Sequence, residues 1–207
     1  MSATERLAKI KRLLQEKQGV SSIKPQFWKP PKLIHRVAST PLIRSWLTTP
    51  TSLTARMRTF CPGLEVEILS ETFEVPLFSE LARLGMPPDE EAWVRCVLLK
   101  CGQGPWVYAR TVIPHLDTLN PWHDLKQLGT QPLGEVLFNL PNIERTPFEF
   151  SKDTLGHWPH LNRLVNNTGW GKQSGYARRS VFLHQKAPLL LTEVFLPNLF
   201  DSVSDNR

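Results

Sequence analysis

The pattern of hydrophobic and polar residues is most distinctive in the run PLLLTEVFLP at residues 188–197, which has proline at both ends and one charged residue, Glu193. Side chains alternate between the two faces of a strand, and both faces of this run are largely apolar. The pattern therefore predicts a central strand in which Glu193 is shielded from water. A buried carboxylate needs a partner or takes up a proton, so Glu193 is either half of a structural ion pair with a buried arginine or a catalytic acid.

Alternation of apolar and polar residues predicts five more strands, two of which form a hairpin. The hairpin joins residues 92–100 to residues 105–113 through Cys101-Gly102-Gln103-Gly104, a sequence typical of a tight turn. In its first strand Arg95 is the only charge on an otherwise apolar face, which makes Arg95 a candidate partner for Glu193. The last two strands are joined by a turn over residues 185–187. The predicted strands are residues 64–73, 92–100, 105–113, 143–151, 177–184 and 188–196.

Helical spacing and capping residues predict short helices between the strands. One begins after Thr49, a residue type common at N-caps, with Pro50 in the first helical position. Thr130 is expected to cap another helix after a break at Gly129. Strands connected mostly by hairpins, with helices between them, predict an α+β fold with a six-stranded antiparallel sheet. The predicted helices are residues 3–18, 41–47, 50–60, 78–84, 121–128 and 131–138, whereas residues 152–175 are expected to be irregular.

The charge distribution divides the chain into an N-terminal extension and a body. Residues 1–44 contain ten Lys and Arg against two acidic residues, although the whole chain has a net charge of only +6. We therefore expect a basic, proline-containing extension over residues 1–40, one domain over residues 41–200, and a polar tail over residues 201–207. A nearly neutral body predicts no nucleic-acid partner, whereas the extension can make a weak contact with an anionic surface.

The cysteines and the apolar runs indicate the compartment. The chain has three cysteines, an odd number, without CxxC spacing. This pattern argues against a disulfide framework or a zinc site, so we expect small buried side chains in a reducing cytoplasm. No apolar run approaches the roughly 20 residues that a membrane span needs, and no signal-peptide pattern is visible, so a cytoplasmic protein is expected.

Motifs for metals and nucleotides are not recognisable in the sequence. His157 and His160 have HxxH spacing, but Pro159 and the surrounding loop composition argue against a helical metal site. No P-loop, nucleophile elbow or dinucleotide fingerprint is present. We therefore expect no metal and no cofactor.

Five blocks of sequence, in order, resemble the chorismate pyruvate-lyase family, also called chorismate lyase, which makes 4-hydroxybenzoate for ubiquinone biosynthesis. Several ordered blocks are more specific than any single short motif. The resemblance implies a six-stranded antiparallel sheet and two helix–turn–helix flaps over an internal ligand site. The blocks are EAWVRCVLL at 91–99, GPWVYARTVIP at 104–114, LGTQPLG at 128–134, RRS at 178–180 and PLLLTEVFLP at 188–197.

The resemblance also implies an activity and a set of site residues. The expected reaction is elimination of pyruvate from chorismate to give 4-hydroxybenzoate, the first committed step of ubiquinone biosynthesis, by a monomer. Arg95 matches the family arginine that binds the ring carboxylate, assisted by the backbone amides of Leu53 and Leu133. Glu193 matches the glutamate that meets the ring oxygen, and Arg110 is expected to bind the enolpyruvyl carboxylate. The family pattern has methionine where Leu53 stands, which alters the pocket wall but preserves an amide contact.

Three alternatives stay open from the sequence. Effector domains of some bacterial transcription regulators are similar in fold and bind small acids without converting them, so a non-catalytic binding module is one. Residues 1–40 are too short and too rich in proline to form the DNA-reading domain of such a regulator. A second alternative, compatible with an enzyme, is a protein tethered to RNA or a membrane by its basic extension. A third is release of 3-hydroxybenzoate in place of the 4-isomer.

Overall fold

The computed structural model describes residues 27–102 and 104–204, so the predicted helix at 3–18 and residues 205–207 lie outside the described chain. Within it, a mixed helix and sheet fold confirms the predicted α+β class. Four 3₁₀ helices cover Pro31–Arg36, His123–Gln127, Leu155–His157 and Trp170–Lys172. The α-helices are α1 Pro41–Leu47, α2 Leu53–Phe60, α3 Phe78–Leu84, α4 Leu133–Asn139, α5 Asn162–Thr168 and α6 Pro197–Ser204. The strands are β1 Glu65–Glu74, β2 Ala92–Cys101, β3 Gly104–Pro114, β4 Glu144–Arg145, β5 Glu149–Thr154, β6 Ser174–His184 and β7 Ala187–Phe195.

The strands form one antiparallel sheet in which β7 is central, as its two apolar faces predict. The order is β1-β2-β3-β7-β6, and β4 and β5 both pair with β6 at the far edge. The strand predicted at residues 143–151 is therefore split in two. Pro147 lies in the gap and has no N–H to donate to the ladder, which accounts for the interruption.

Several predicted helix boundaries are wrong, because local capping chemistry selects other residues. The N-cap of α2 is Ser52, whose Oγ accepts a hydrogen bond from the amide of Ala55 at 3.2 Å. Thr49 instead donates its hydroxyl to the carbonyl of Trp46 at 3.1 Å, so it belongs to the end of α1. Pro132 takes the N-cap position of α4, and the helix expected at 121–128 is only a short 3₁₀ turn.

The sheet has two faces that carry different cores. Odd-numbered residues of β2, β3 and β7 point to the face covered by α1, α2 and α6, which we call the helical face. Even-numbered residues of β2, of β7 and of β3 from Tyr108 onwards point to the opposite face, covered largely by residues 155–170, which we call the excursion face. Far from being irregular, this excursion contains α5 and two 3₁₀ turns. The helical face includes Trp46, Met57, Val97, Phe195 and Leu199, and the excursion face includes Val94, Cys96, Tyr108, Trp158 and Leu161.

Cys61 and Cys101 form a disulfide, which corrects the expectation of three unpaired cysteines. Cys61 lies just before β1, and Cys101 ends β2. Because β1 and β2 are antiparallel with Glu65 opposite Lys100, the two cysteines arrive at the same end of the strand pair. The spacing of 40 residues between them contains no local signal for this proximity. Cys96 is a free, buried thiol, as expected.

Packing begins before residue 41, within the stretch assigned to the extension. The indole ring of Trp28 lies edge-on to that of Trp158 at 6.2 Å, and Lys29 forms an isolated β-bridge with Phe150. Val37 and Ala38 are buried in the core of the helical face. None of the helices in the described part of the chain is long and apolar enough to span a membrane.

Candidate active site

Arg95 is a buried cation at the centre of β2, with a side chain that is only 3% exposed. Its Nη1 makes an ion pair with Oε1 of Glu71 on the neighbouring strand β1. Its Nη2 donates a hydrogen bond to the carbonyl oxygen of Gly129 at 2.6 Å, in the loop that precedes α4. One carboxylate thus balances the charge of the guanidinium, and one hydrogen bond attaches it to the loop. A guanidinium has five N–H donors, so Arg95 still has N–H groups for a ligand.

Glu193 pairs with Arg178, and not with Arg95 as the sequence suggested. The two residues are directly opposite each other on β7 and β6, and Nε of Arg178 lies 2.5 Å from Oε2 of Glu193. Strand β3 lies between Arg95 and Glu193, so these two side chains do not form a pair. In the described chain no hydrogen bond reaches the second carboxylate oxygen, Oε1, which leaves it as the atom for a ligand.

Arg95 and Glu193 nevertheless share the helical face of the sheet. Thr111 of β3 lies opposite Arg95, and Ala109 lies opposite Glu193, so the two charged residues flank the same short segment of β3. Adjacent strands are about 4.8 Å apart, which separates the strands of Arg95 and Glu193 by roughly 10 Å. Ala109 and Thr111 have short side chains, which leave space above the sheet between Arg95 and Glu193. This arrangement suits a flat aromatic acid with a polar group at each end.

Two helical flaps meet above this face. The first flap is residues 41–60, which form α1 and α2, and the second flap is residues 123–139, which include α4. A Cβ at Gly134 would lie 3.2 Å from Oγ1 of Thr54, so the first turns of α2 and α4 are in contact. Leu53 and Leu133 are the first residues of these two helices. Backbone amides in a first helical turn have no acceptor within the helix and can therefore bind a ligand oxygen.

Arg110 does not join this group, because it points to the excursion face. Its guanidinium, 1% exposed, binds Glu80 through Nε at 2.9 Å and Glu74 through Nη1 at 2.8 Å. Burial lowers the pKa of Arg110, but the Glu80 carboxylate, together with Tyr108 and Cys96, raises this pKa well above its usual value. Arg110 therefore lies on the other face of the sheet from Arg95 and Glu193, and its contact with the enolpyruvyl carboxylate stays a prediction. Its ion pairs with Glu80 and Glu74 stabilise β3 from the excursion face.

Other candidate groups behave as structural residues. Burial raises the pKa of the Cys96 thiol, which keeps it protonated and unreactive. His157 and His160 contact different carboxylates: His157 lies 2.8 Å from Asp153, and His160 lies 3.5 Å from Glu74. No cluster of metal-ligating side chains was found among the described residues.

Arg178 and Glu71 are site residues that sequence reasoning missed. Arg178 belongs to the RRS block, which by itself indicates no partner for this arginine. The hairpin register could have revealed it, because a two-residue turn at Gln185 and Lys186 places residue 178 opposite residue 193. Glu71 lies on an edge strand with an acidic, polar pattern, and nothing in that pattern distinguishes it from Glu67.

Comparisons with known proteins show which family the chain resembles in sequence. The chorismate lyase family model matches residues 23–205. A protein of Hydrogenovibrio crunogenus named probable chorismate pyruvate-lyase is 48% identical over 169 residues, which cover 82% of this chain and 89% of that protein. A protein of Ralstonia nicotianae with the same name is 39% identical over 158 residues, which cover 74% of this chain and 80% of that protein.

Among solved structures, the C-terminal domain of PhnF has a TM-score of 0.51 at 13% sequence identity, and the match covers 65% of this chain and 83% of that domain. At this identity the likeness establishes a shared fold and nothing about the ligand. The family match extends over all of the described residues and so includes both flaps, Arg95 and Glu193. The chain therefore belongs to the chorismate lyase family.

Proposed function

We propose that this protein eliminates pyruvate from chorismate and releases 4-hydroxybenzoate, with Arg95 and Glu193 at opposite ends of the substrate ring. The observation that carries the proposal is the placement of these two charged side chains, 3% and 12% exposed, on one face, on either side of Ala109 and Thr111 and beneath the two flaps. The names of the relatives from Hydrogenovibrio crunogenus and Ralstonia nicotianae support the same activity.

Most of the thermodynamic driving force of this reaction comes from the substrate, because its ring becomes aromatic. The ring loses its ether-linked enolpyruvyl group and one proton and becomes aromatic, and the departing group gains a proton as it becomes pyruvate. The protein must therefore orient the substrate, balance its charges and manage one proton. Holding reacting groups in a productive orientation can lower a barrier by several kcal/mol.

Arg95 binds the ring carboxylate in this proposal. Its guanidinium is held in place by Glu71 and Gly129 and can still offer N–H donors in the planar arrangement that suits a carboxylate. The amides at Leu53 and Leu133 lie at the starts of the two flap helices, where they can donate to the same carboxylate.

Glu193 contacts the ring oxygen or the proton that the ring loses. Arg178 holds Oε2, so Oε1 is the oxygen directed to the substrate. A positioned carboxylate that moves a proton in the transition state contributes about 10²–10⁴-fold to a rate. Arg110 acts indirectly, by fixing β3 from the excursion face through its ion pairs with Glu80 and Glu74.

The activity is tested by mixing purified protein with chorismate and identifying both products. We expect 4-hydroxybenzoate and pyruvate in equal amounts. An Arg95→Ala variant should raise the KM for chorismate and the Kd for 4-hydroxybenzoate about thirty-fold or more, because a buried charge pair typically contributes 2 kcal/mol or more to binding.

The control for Arg95→Ala is Lys100→Ala. Lys100 is another cation of β2, but its partner Glu67 is at the surface, and its loss should leave both constants unchanged. Binding of 4-hydroxybenzoate without any turnover of chorismate would support the non-catalytic alternative. Release of 3-hydroxybenzoate would assign the chain the sister activity.

The two flaps are connected by a salt bridge that should slow product release. Nε of Arg58 in α2 lies 2.9 Å from Oε1 of Glu135 in α4, and both side chains are partly exposed. Exposed pairs contribute up to about 1 kcal/mol. Arg58→Ala should therefore accelerate dissociation of 4-hydroxybenzoate up to about five-fold, which stopped-flow fluorescence can measure.

Charge reversal provides the matched control for the flap bridge. Arg58→Glu alone should accelerate dissociation further, because two carboxylates then face each other. The double variant R58E/E135R should return the rate towards that of the native protein. Equal rates in all variants would show that this bridge does not restrain the flaps.

A further inference from the structure

Three arginines converge on the linker between α1 and α2, close to Glu193. Arg178 donates from Nη1 to the carbonyl of Thr49 at 2.9 Å, and Arg145 donates from Nη2 to the carbonyl of Pro50 at 3.2 Å. Arg56 donates from Nη1 to the carbonyl of Ser45 at 2.7 Å. The guanidiniums thus surround residues 45–50, at the base of the first flap.

The positive charge of this cluster exceeds the negative charge that faces it. Glu193 pairs with Arg178, whereas neither Arg56 nor Arg145 makes an ion pair with a carboxylate in the described part of the chain. Burial, followed by the nearby charge of Arg178, lowers the pKa of both Arg56 and Arg145. Mutual repulsion of this kind is relieved when an anion binds.

Arg145 is the member of the cluster best placed to receive a ligand. Arg56 uses both terminal nitrogens on Ser45 and Thr49 and lies over the ring of Trp46 at 3.9 Å. Within residues 27–102 and 104–204, the side chain of Arg145 makes one hydrogen bond, and its guanidinium lies over the ring of Phe148 at 4.4 Å. Aromatic packing fixes the plane of its guanidinium and leaves several N–H donors available.

Arg145 also lies close to both flaps. It contacts Pro50 in the first flap, and its guanidinium lies 6.0 Å from the ring of Phe138 in α4 of the second flap. Strand β4 pairs with β6, which pairs with the β7 strand of Glu193, and Arg145 and Arg178 both lie over the ring of Phe148. Arg145 is therefore at the Glu193 end of the site rather than at the Arg95 end.

We infer that Arg145, supported by Arg178 and Arg56, binds the second carboxylate of the substrate, that of the enolpyruvyl group. This inference rests on the proposed function. Chorismate carries two carboxylates, and Arg95 holds the ring carboxylate at the other end. The enolpyruvyl group leaves from the ring near Glu193, so its carboxylate falls beside a cluster with unbalanced positive charge. Arg110, on the excursion face, is not needed for this contact.

The inference predicts different effects on the binding of substrate and of product, because 4-hydroxybenzoate lacks the second carboxylate. Arg145→Met keeps a long apolar side chain on Phe148 but removes the charge. We expect this variant to raise the KM for chorismate about ten-fold or more, since charge-assisted hydrogen bonds are the stronger class. The Kd for 4-hydroxybenzoate should stay within about two-fold of the native value, a difference that a general structural defect would not produce. Arg145→Lys should restore part of the loss.

The control is Arg44→Met, which removes an exposed arginine from α1 and should change neither constant. A native KM for chorismate in Arg145→Met, or an equal loss of product affinity, would overturn the inference and leave the lyase activity in place. If the native protein does not convert chorismate at all, the proposed function and this inference fail together.

Discussion

Replacing Glu193 with Gln should lower the turnover of chorismate about 100-fold or more, while the affinity for 4-hydroxybenzoate changes by no more than a few-fold. Gln has nearly the same shape and can still accept the hydrogen bond from Nε of Arg178. It cannot carry a proton, so the variant removes the acid–base contribution and little else. The measurements are kcat from pyruvate release and Kd from titration with 4-hydroxybenzoate.

Two comparisons make the Glu193→Gln result interpretable. Glu144→Gln changes an exposed carboxylate in β4 and should leave turnover unchanged. Thermal unfolding of both variants shows whether the fold is intact. Native turnover in Glu193→Gln would remove the proton role from this residue, and a loss confined to product affinity would make it a binding group only.

Replacing Arg110 with Met should cost about 3–5 kcal/mol in the free energy of unfolding, which is the typical effect of removing one partner from a buried ion pair. Arg110 is 1% exposed and Glu80 is 2% exposed, so the variant leaves a carboxylate in the core without its cation. Glu74 loses a partner as well. Urea unfolding measures the change, and the destabilisation should appear even without any ligand.

Matched variants separate this effect from ordinary charge loss. R110M/E80Q removes both charges and should be more stable than the single Arg110→Met variant, because no uncompensated carboxylate remains at position 80. Arg83→Met breaks a half-exposed pair with Glu149 and should cost less than about 1 kcal/mol. A cost of that small size in Arg110→Met would contradict the assignment of Arg110 as a structural cation.

Arg95 and Arg110 illustrate how similar sequence contexts lead to different roles. Both are single arginines within apolar strands of one hairpin, and both are almost completely buried. The carboxylates of Glu80 and Glu74 use Nε and both terminal nitrogens of Arg110. Arg95 contacts one carboxylate and one flap carbonyl, and it faces the flaps. The partners of each side chain, more than its burial, decide which arginine can bind a ligand.

Much of the fold could be predicted because it depends on neighbours in the sequence. The bounds of α1 and α3 are those predicted at 41–47 and 78–84, and the strands of the sheet follow from alternation. Two apolar faces predicted a central position for β7, and β7 lies between β3 and β6. Periodicity reports which residues turn inward, so the shielded positions of Glu193 and Arg95 were already visible in the pattern.

The pairing of side chains could not be predicted, because it depends on register. The last hairpin has a two-residue turn in which Gln185 and Lys186 adopt positive φ values of 49° and 70°. Such turns usually contain Asn or Gly, so the sequence indicated a three-residue turn at 185–187 instead. A shift of one residue would place Val194, not Glu193, opposite Arg178, and it would reverse the faces.

The sequence by itself determined the class of fold, the strands, and the presence of lone charges inside apolar strands. Only the tertiary structure decided that Glu193 pairs with Arg178, that Arg110 points away from Arg95, and that Cys61 meets Cys101. The physical reason is the range of the interactions. Backbone preferences and burial patterns act over a few residues, whereas an ion pair or a disulfide requires two distant segments to reach the same place in the correct register.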